Sequence, residues 1–249
     1  MKKQSRKRYI LIPSCILFLF LLVMAILIIS KRIAITPYFA SRYEVQGIDL
    51  SHYQGEVDWD QLRQSGISFA FIKATEGSRT VDERFSENWQ NAAGTGLCIG
   101  AYHFFSFDSP AEDQAALYKN TVGNLDGRLP PVLDVEYYGK KEKNPPEREK
   151  TIAEIQKLLD LLEIEYQVKP ILYTTYPVYH RYIQDNFDSY PLWIRNVYYK
   201  PGFDIGRDWL FWQYSDTSVM EGYQGEEPYI DRNVFAGSKE ELKNLCIRR

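Results

Sequence analysis

The sequence predicts an α/β fold: a β/α barrel of about eight strands, preceded by one transmembrane helix. Three observations lead there. Residues 10–29 form an uncharged apolar run, eight short runs of apolar and aromatic residues follow between 45 and 234, and helix-like stretches separate the earlier of these runs but not the later ones. Strands that alternate with helices indicate a mostly parallel sheet, and eight of them suggest closure into a TIM-like barrel whose helical wall is incomplete.

The apolar run comes first in the chain. From Ile10 to Ile29 no residue is charged and 15 are Ile, Leu, Phe or Val; at about 1.5 Å per helical residue the run reaches about 30 Å, one hydrocarbon core. Lys2, Lys3, Arg6, Lys7 and Arg8 precede it and only Lys31 and Arg32 follow closely, so the positive-inside rule keeps residues 1–9 cytoplasmic as a basic tail. A cleaved signal peptide would have a shorter apolar core and a small-x-small cleavage site. Residues 10–29 therefore read as an uncleaved signal anchor, residues 30–43 as a tether, and residues 44–249 as a single domain held outside the cell membrane.

The strand candidates are Val45 to Asp49, Phe69 to Ala74, Leu97 to Phe104, Val132 to Glu136, Ile171 to Thr174, Leu192 to Ile194, Leu210 to Tyr214 and Tyr229 to Val234, each rich in β-branched or aromatic residues. Helices fit between the early ones. Trp59 to Ser65 stops at Gly66 and Arg84 to Ala93 stops at Gly94. Ser109-Pro110-Ala111-Glu112 has the form of a capping box with proline in the first turn. From about Pro145 to Tyr166, Ile152, Ile155, Leu158, Leu159 and Leu162 recur at helical spacing. Segments 195–209 and 215–228, rich in Gly, Pro, Tyr and Asp, show no such period and read as loops. Ser238 to Leu242 reads as a final capped helix.

In a β/α barrel the working residues sit at the carboxyl ends of the strands, and here those positions carry acids. Asp49 ends the first strand, Glu76 follows the second, Asp134 and Glu136 end the fourth, and Asp231 lies in the last. A carboxylate inside a barrel costs several kcal/mol unless solvated or hydrogen-bonded, so a set of them argues for a site. Any one of Asp49, Glu76 or Asp231 could equally cap a helix or hold a loop. Asp134 and Glu136 are different: two apart, they leave one strand face with Cβ atoms roughly 6 to 7 Å apart. Like charges so close raise the pKa of one, giving an acid that keeps its proton near neutrality beside a carboxylate that does not. That combination is what cleavage of a glycosidic bond requires, with the longer Glu136 as the proton donor. Tyr53, Tyr102, Tyr137, Tyr173, Trp193 and Tyr214 lie at or near strand ends and together suit the faces of sugars.

Composition narrows the alternatives. Seven of the 30 basic residues lie before residue 33 and all 33 acidic residues after it, which leaves the remainder at a formal charge of −10. Nucleic acid is a poor partner for such a surface. The three histidines, His52, His103 and His180, have no short metal-binding spacing, so neither a metal nor another cofactor is expected; His103 reads as a hydrogen-bonded core residue. Cys98 and Cys246 leave one disulfide open but form no framework. No Gly-x-Ser-x-Gly elbow, P-loop or dinucleotide fingerprint is present.

The stretches GIDLSHYQG, FAFIKATEG, GAYHFF, PPVLDVE, LYTTY, LWI, FWQYSD and YIDRNVF, in this order from Val45 to Gly237, resemble the glycoside hydrolase family 25 lysozymes, the Chalaropsis-type muramidases. The resemblance implies a flattened barrel, no metal, and cleavage of the β-1,4 bond between N-acetylmuramic acid and N-acetylglucosamine in peptidoglycan, by a monomer facing the cell wall. It implies Glu136 as general acid, Asp134 as its partner, Asp49 and Asp231 as flanking catalytic acids and Glu76 as a further contact to substrate. After LWI this chain has Arg195, Asn196 and Val197 where the family pattern has small residues. A barrel that binds wall glycan without cutting it, and a hydrolase of another N-acetylated glycan such as chitin, are the competing expectations.

Overall fold

The computed structural model describes residues 2–248, with side chains from Pro13 onward. Helix α1 (Lys2–Ile29) contains the apolar run. Its side chains from Ile16 to Val23 are exposed. Among the described residues no helix is long and apolar enough to cross a membrane; the side chains of the basic tail and of Ile10, Leu11 and Ile12, the first three positions of the expected span, lie outside the described residues.

All eight expected strands form: β1 (Val45–Leu50), β2 (Ile67–Glu76), β3 (Cys98–Phe104), β4 (Val132–Val135), β5 (Ile171–Thr175), β6 (Leu192–Arg195), β7 (Phe211–Ser218) and β8 (Ile230–Phe235). They pair in chain order, and β1 pairs with both β2 and β8, which closes the barrel. From β1 to β7 every neighbour is parallel, whereas β8 runs antiparallel to β7 and β1. The cause is the connection 219–229, which is too short for a helical crossover of a dozen or more residues. The chain therefore returns at the end where β7 stops, and Asp231 comes to face Asp49 directly across the ladder.

Side chains fill the barrel. Phe69, Phe71, Trp193 and Phe211 meet inside it, with Phe71 stacked on Trp193 at 4.5 Å and Phe69 at 5.0 Å from Phe211. Glycines make the room: a Cβ on Gly47 would lie 2.3 Å from the Phe69 ring and one on Gly100 2.7 Å from Phe71. Outside, helices α3 (Trp59–Gln64), α4 (Phe85–Ala93), α5 (Ala111–Val122) and α6 (Arg148–Tyr166) cover the early strands, with Tyr118, Leu158, Leu159 and Leu162 fully buried between helices and sheet. After β5 comes only a short helical stretch, Tyr176–Val178 running into Tyr179–Ile183, and no α-helix separates β6 from β7 or β7 from β8.

Part of the expected tether fills this gap. Helix α2 (Thr36–Ala40) lies against the outer face of β7 and β8, where Ala40 packs with Trp212, Tyr214 and Val234. Gln46 holds it by donating to the carbonyls of Ala40 and Tyr43 at 3.0 Å. The packed domain thus reaches back to Thr36.

The last helix, α7 (Lys239–Leu245), has the Ser238–Glu241 capping box. The expected box at Ser109 is absent. Helix α5 starts at Ala111 with Pro110 in the cap position, Ser109 Oγ lies 3.2 Å from Ser78 Oγ, and Glu154 of α6 accepts the Ala111 N–H at 2.8 Å instead. A carboxylate from a neighbouring helix has replaced the local hydroxyl as the acceptor.

Candidate active site

The carboxyl ends of β1 to β6 and the start of β8 surround a cavity of about 210 Å³, lined by Asp49, Ser51, Tyr53, Lys73, Tyr102, Phe104, Asp134, Glu136, Tyr173, Trp193 and Asp231. Four of the five expected acids are therefore brought together. Asp134 sits within β4 between Phe104 and Tyr173 of the neighbouring strands and is 6 % exposed; its Oδ1 is buried with no hydrogen-bond partner. Glu136, one residue beyond the strand, is more open to the cavity.

The other pair is differently held. Asp49 Oδ2 accepts from Asn233 Nδ2 at 2.7 Å and from Gln213 Nε2 at 2.8 Å. Gln213 also donates to Asp231 Oδ2 at 3.1 Å and accepts from the Tyr173 hydroxyl at 2.9 Å. Trp193 Nε1 fixes Asn233 through its side-chain oxygen at 2.9 Å. Two aromatic residues of the cavity wall thus orient two amides, and the amides orient two acids.

Burial is the largest influence on each acid, since it disfavours the charged form. It lifts Asp49, but the donors Asn233 and Gln213 restrain the rise. Asp231 is pushed well above the carboxylate range by burial and then by the charge of Asp49, so the proton of this pair belongs to Asp231 while Asp49 stays the acceptor. Burial and the Glu136 charge drive Asp134 strongly upward, and burial raises Glu136 to about 7 against the pull of Arg195. Both carboxyls of the β4 pair thus hold a proton more tightly than a free carboxylate does.

Three expected contacts lie elsewhere. Glu76 pairs with Lys73, which lines the acid cavity, at 2.6 Å and itself faces an adjoining groove lined also by Ser78, Arg79, Asp108 and Tyr138. Tyr137 leaves the strand on the face opposite Glu136 and packs against Phe107 and Tyr182. Tyr214 alternates with Gln213 in the same way, so its ring joins Trp212 and Ala40 outside the barrel. Tyr53, Tyr102, Tyr173 and Trp193 do line the cavity. His103 is a fully buried core residue, 2.7 Å from Thr75 Oγ1 and 3.1 Å from Gln114 Oε1.

Reasoning from acids alone missed Lys73, Gln213 and Asn233. Each is a polar residue inside an otherwise apolar strand, in FAFIKATEG, FWQYSD and YIDRNVF, and the same argument that singled out the carboxylates applies to them.

A closed barrel that gathers four acids and five aromatic residues at one mouth defines a glycoside hydrolase working by carboxylate chemistry. Residues 48–223 match the model of the glycosyl hydrolases family 25, and the chain belongs to that family. A family 25 glycosyl hydrolase from Bacillus anthracis superposes with a TM-score of 0.78 at 47 % identity, over 83 % of this chain and 95 % of that one. Lysozyme M1 of Streptomyces globisporus is 32 % identical over 225 residues, 81 % of this chain and 71 % of that protein. The uncharacterized protein YegX of Escherichia coli K12 is 40 % identical over 206 residues, 81 % of this chain and 73 % of that protein.

Proposed function

We propose that this peptidoglycan hydrolase cleaves the β-1,4 bond between N-acetylmuramic acid and N-acetylglucosamine, with Glu136 as general acid and Asp134 as its partner. The observation that carries the proposal is the contrast within the β4 pair: Glu136, just past the strand, is open to the cavity, while Asp134 keeps a buried Oδ1 free of protein partners. Glu136 would give its proton to the leaving oxygen, and Asp134 would accept an N–H from the 2-acetamido group or stabilise the cationic sugar directly. Asp49 and Asp231 form the fixed wall that keeps the pair in an acidic setting, Tyr53 and Tyr102 offer ring faces to the glycan, and the buried Tyr173 and Trp193 complete the lining. Similarity to a lysozyme, together with the Chalaropsis-type motifs, supports the choice of bond.

The proposal includes the anchor: residues 10–29 span the cell membrane, residues 1–9 stay inside, and the barrel, as a monomer, faces the wall. Twenty consecutive uncharged residues and the exposed apolar side chains of α1 support it. Protease added to intact cells should remove the barrel and leave a membrane-bound stub; complete protection of the barrel would reverse the orientation.

The bond is tested by digesting purified peptidoglycan with the full chain in detergent and identifying new reducing ends by mass spectrometry. Muramic acid ends support the proposal. Glucosamine ends would move the scissile bond, and glycan binding with no new ends would make the barrel a binding module.

A further inference from the structure

Arg195 ends β6 two residues after Trp193, so both side chains leave the same face of the strand, and Trp193 lines the acid cavity. Arg195 is paired in register with Thr175 and Gln213, and its guanidinium donates to Asp216 Oδ2 at the far end of β7. The same oxygen receives Lys31, just past the end of α1. All three side chains are about two-thirds buried or more. Asp216 also borders a second cavity that shares Asp49, Tyr53 and Asp231 with the first. A line of alternating charge therefore runs from the end of the apolar helix to the acids of the mouth.

We propose that Arg195, held by Asp216, is a positioning residue for the proton-donating carboxyl of Glu136, and that Lys31 couples this clamp to the segment joining α1 to the barrel. The inference rests on the reading of Glu136 as the acid. Asp49 from β1, Lys73 from β2, Asp134 from its own strand, Tyr173 from β5 and Asp231 from β8 line the same cavity as Glu136, and the charge of Arg195 from β6 reaches it from behind that lining. Lys73 and Arg195 are the cations of this set. Each is paired with a carboxylate, Lys73 with Glu76 on the rim and Arg195 with Asp216; Arg195 acts the more strongly on Glu136, and Asp216 decides how much of its charge reaches there. Removing the cation strengthens proton binding at Glu136; removing its counter-charge weakens it.

The test uses the full chain in detergent and reads the basic limb of the pH–rate profile on peptidoglycan, together with a carbon-13 NMR titration of glutamate carboxyls assigned with Glu136→Gln. Arg195→Gln should move the limb and the Glu136 titration upward by roughly half to one pH unit. Asp216→Asn should move both downward, and Lys31→Gln should produce a smaller upward shift. Arg195→Lys should restore much of the wild-type profile. A purely structural role would lower the rate at every pH without moving the limb. Arg195→Gln and Asp216→Asn profiles that do not shift in opposite directions, in proteins whose circular dichroism is native, overturn the inference. The NMR titration still reads the clamp if peptidoglycan is not cleaved, so failure of the clamp and failure of the proposed reaction are told apart.

Discussion

Replacing Glu136 by Gln should remove catalysis and stabilise the fold, and the second effect should depend on pH. Burial raises the Glu136 carboxyl from an ordinary 4.5 to about 7. Ionising it in the folded chain thus costs about 3 kcal/mol more than in the unfolded chain, at 1.36 kcal/mol per pH unit. The sign follows from linkage. Below pH 4.5 both states are protonated and the group contributes no difference. Between 4.5 and 7 the unfolded chain loses its proton first, so stability falls as pH rises, and above 7 the full penalty is present. Glutamine never ionises. The variant should therefore melt near wild type at pH 4 and about 6 to 12 °C higher at pH 8, taking roughly 2 to 4 °C per kcal/mol for a domain of this size. Differential scanning calorimetry across this range is the assay, with release of reducing ends from peptidoglycan measured beside it; the rate should fall by at least 10²-fold. A Tm difference independent of pH, or a variant that still turns over, would refute the reasoning.

Four further outcomes follow. The wild-type rate should decline above pH 7, tenfold per unit at the extreme, because the proton that Glu136 must donate is gone; a rate still rising at pH 9 would assign the acid elsewhere. Asp231→Asn should preserve the fold, since an amide still donates to Asp49, whereas Asp49→Asn leaves Gln213 and Asn233 facing a third amide and should cost about 1 to 3 kcal/mol in chemical denaturation. Gly47→Ala should destabilise by about 1 to 3 kcal/mol because its Cβ would lie 2.3 Å from the Phe69 ring, and an unchanged midpoint of denaturation would contradict that packing. Cys98, brought down to about 7 by the Cys246 thiol that donates to it, should be alkylated by iodoacetamide before Cys246, as peptide mass spectrometry will show.

Much of this architecture is legible in the chain because alternation and length are local properties. The eight strands stand out as short runs of Val, Ile and aromatic residues, and the missing late helices are visible as Gly- and Pro-rich segments. Two features escape local reasoning. The reversal of β8 depends on the length of a connection rather than on its own sequence, which reads like any other strand. The placement of α2 depends on an uncovered outer face of β7 and β8, so the pattern around Pro37 and Phe39 carries meaning only once that face exists. In the site, parity decides which expected contacts hold. Asp134 and Glu136 point inward, so Tyr137 cannot; Gln213 points inward, so Tyr214 cannot. Chain position near a strand end identified the neighbourhood of these tyrosines, and only the pleat separates lining from packing.

Parity also explains how the six polar groups at the mouth divide their work. The barrel interior below the mouth is aromatic, so the acids cannot be satisfied from beneath and must take partners within their own layer. Asp49 and Asp231 do so: adjacent antiparallel strands bring their Cα atoms opposite each other, and Gln213 and Asn233, anchored by Tyr173 and Trp193, supply donors. Asp134 and Glu136 come from one strand and receive no such donors; one oxygen of Asp134 stays unpaired. The first pair is thus closed within the protein and the second is left to be completed from the cavity. An acid cluster formed only for stability would distribute its donors over all four carboxyls, because each unsatisfied buried oxygen costs about 1 to 3 kcal/mol. Concentrating them on Asp49 leaves the deficit at Asp134, two residues before the Glu136 that a sugar ring entering the mouth can reach.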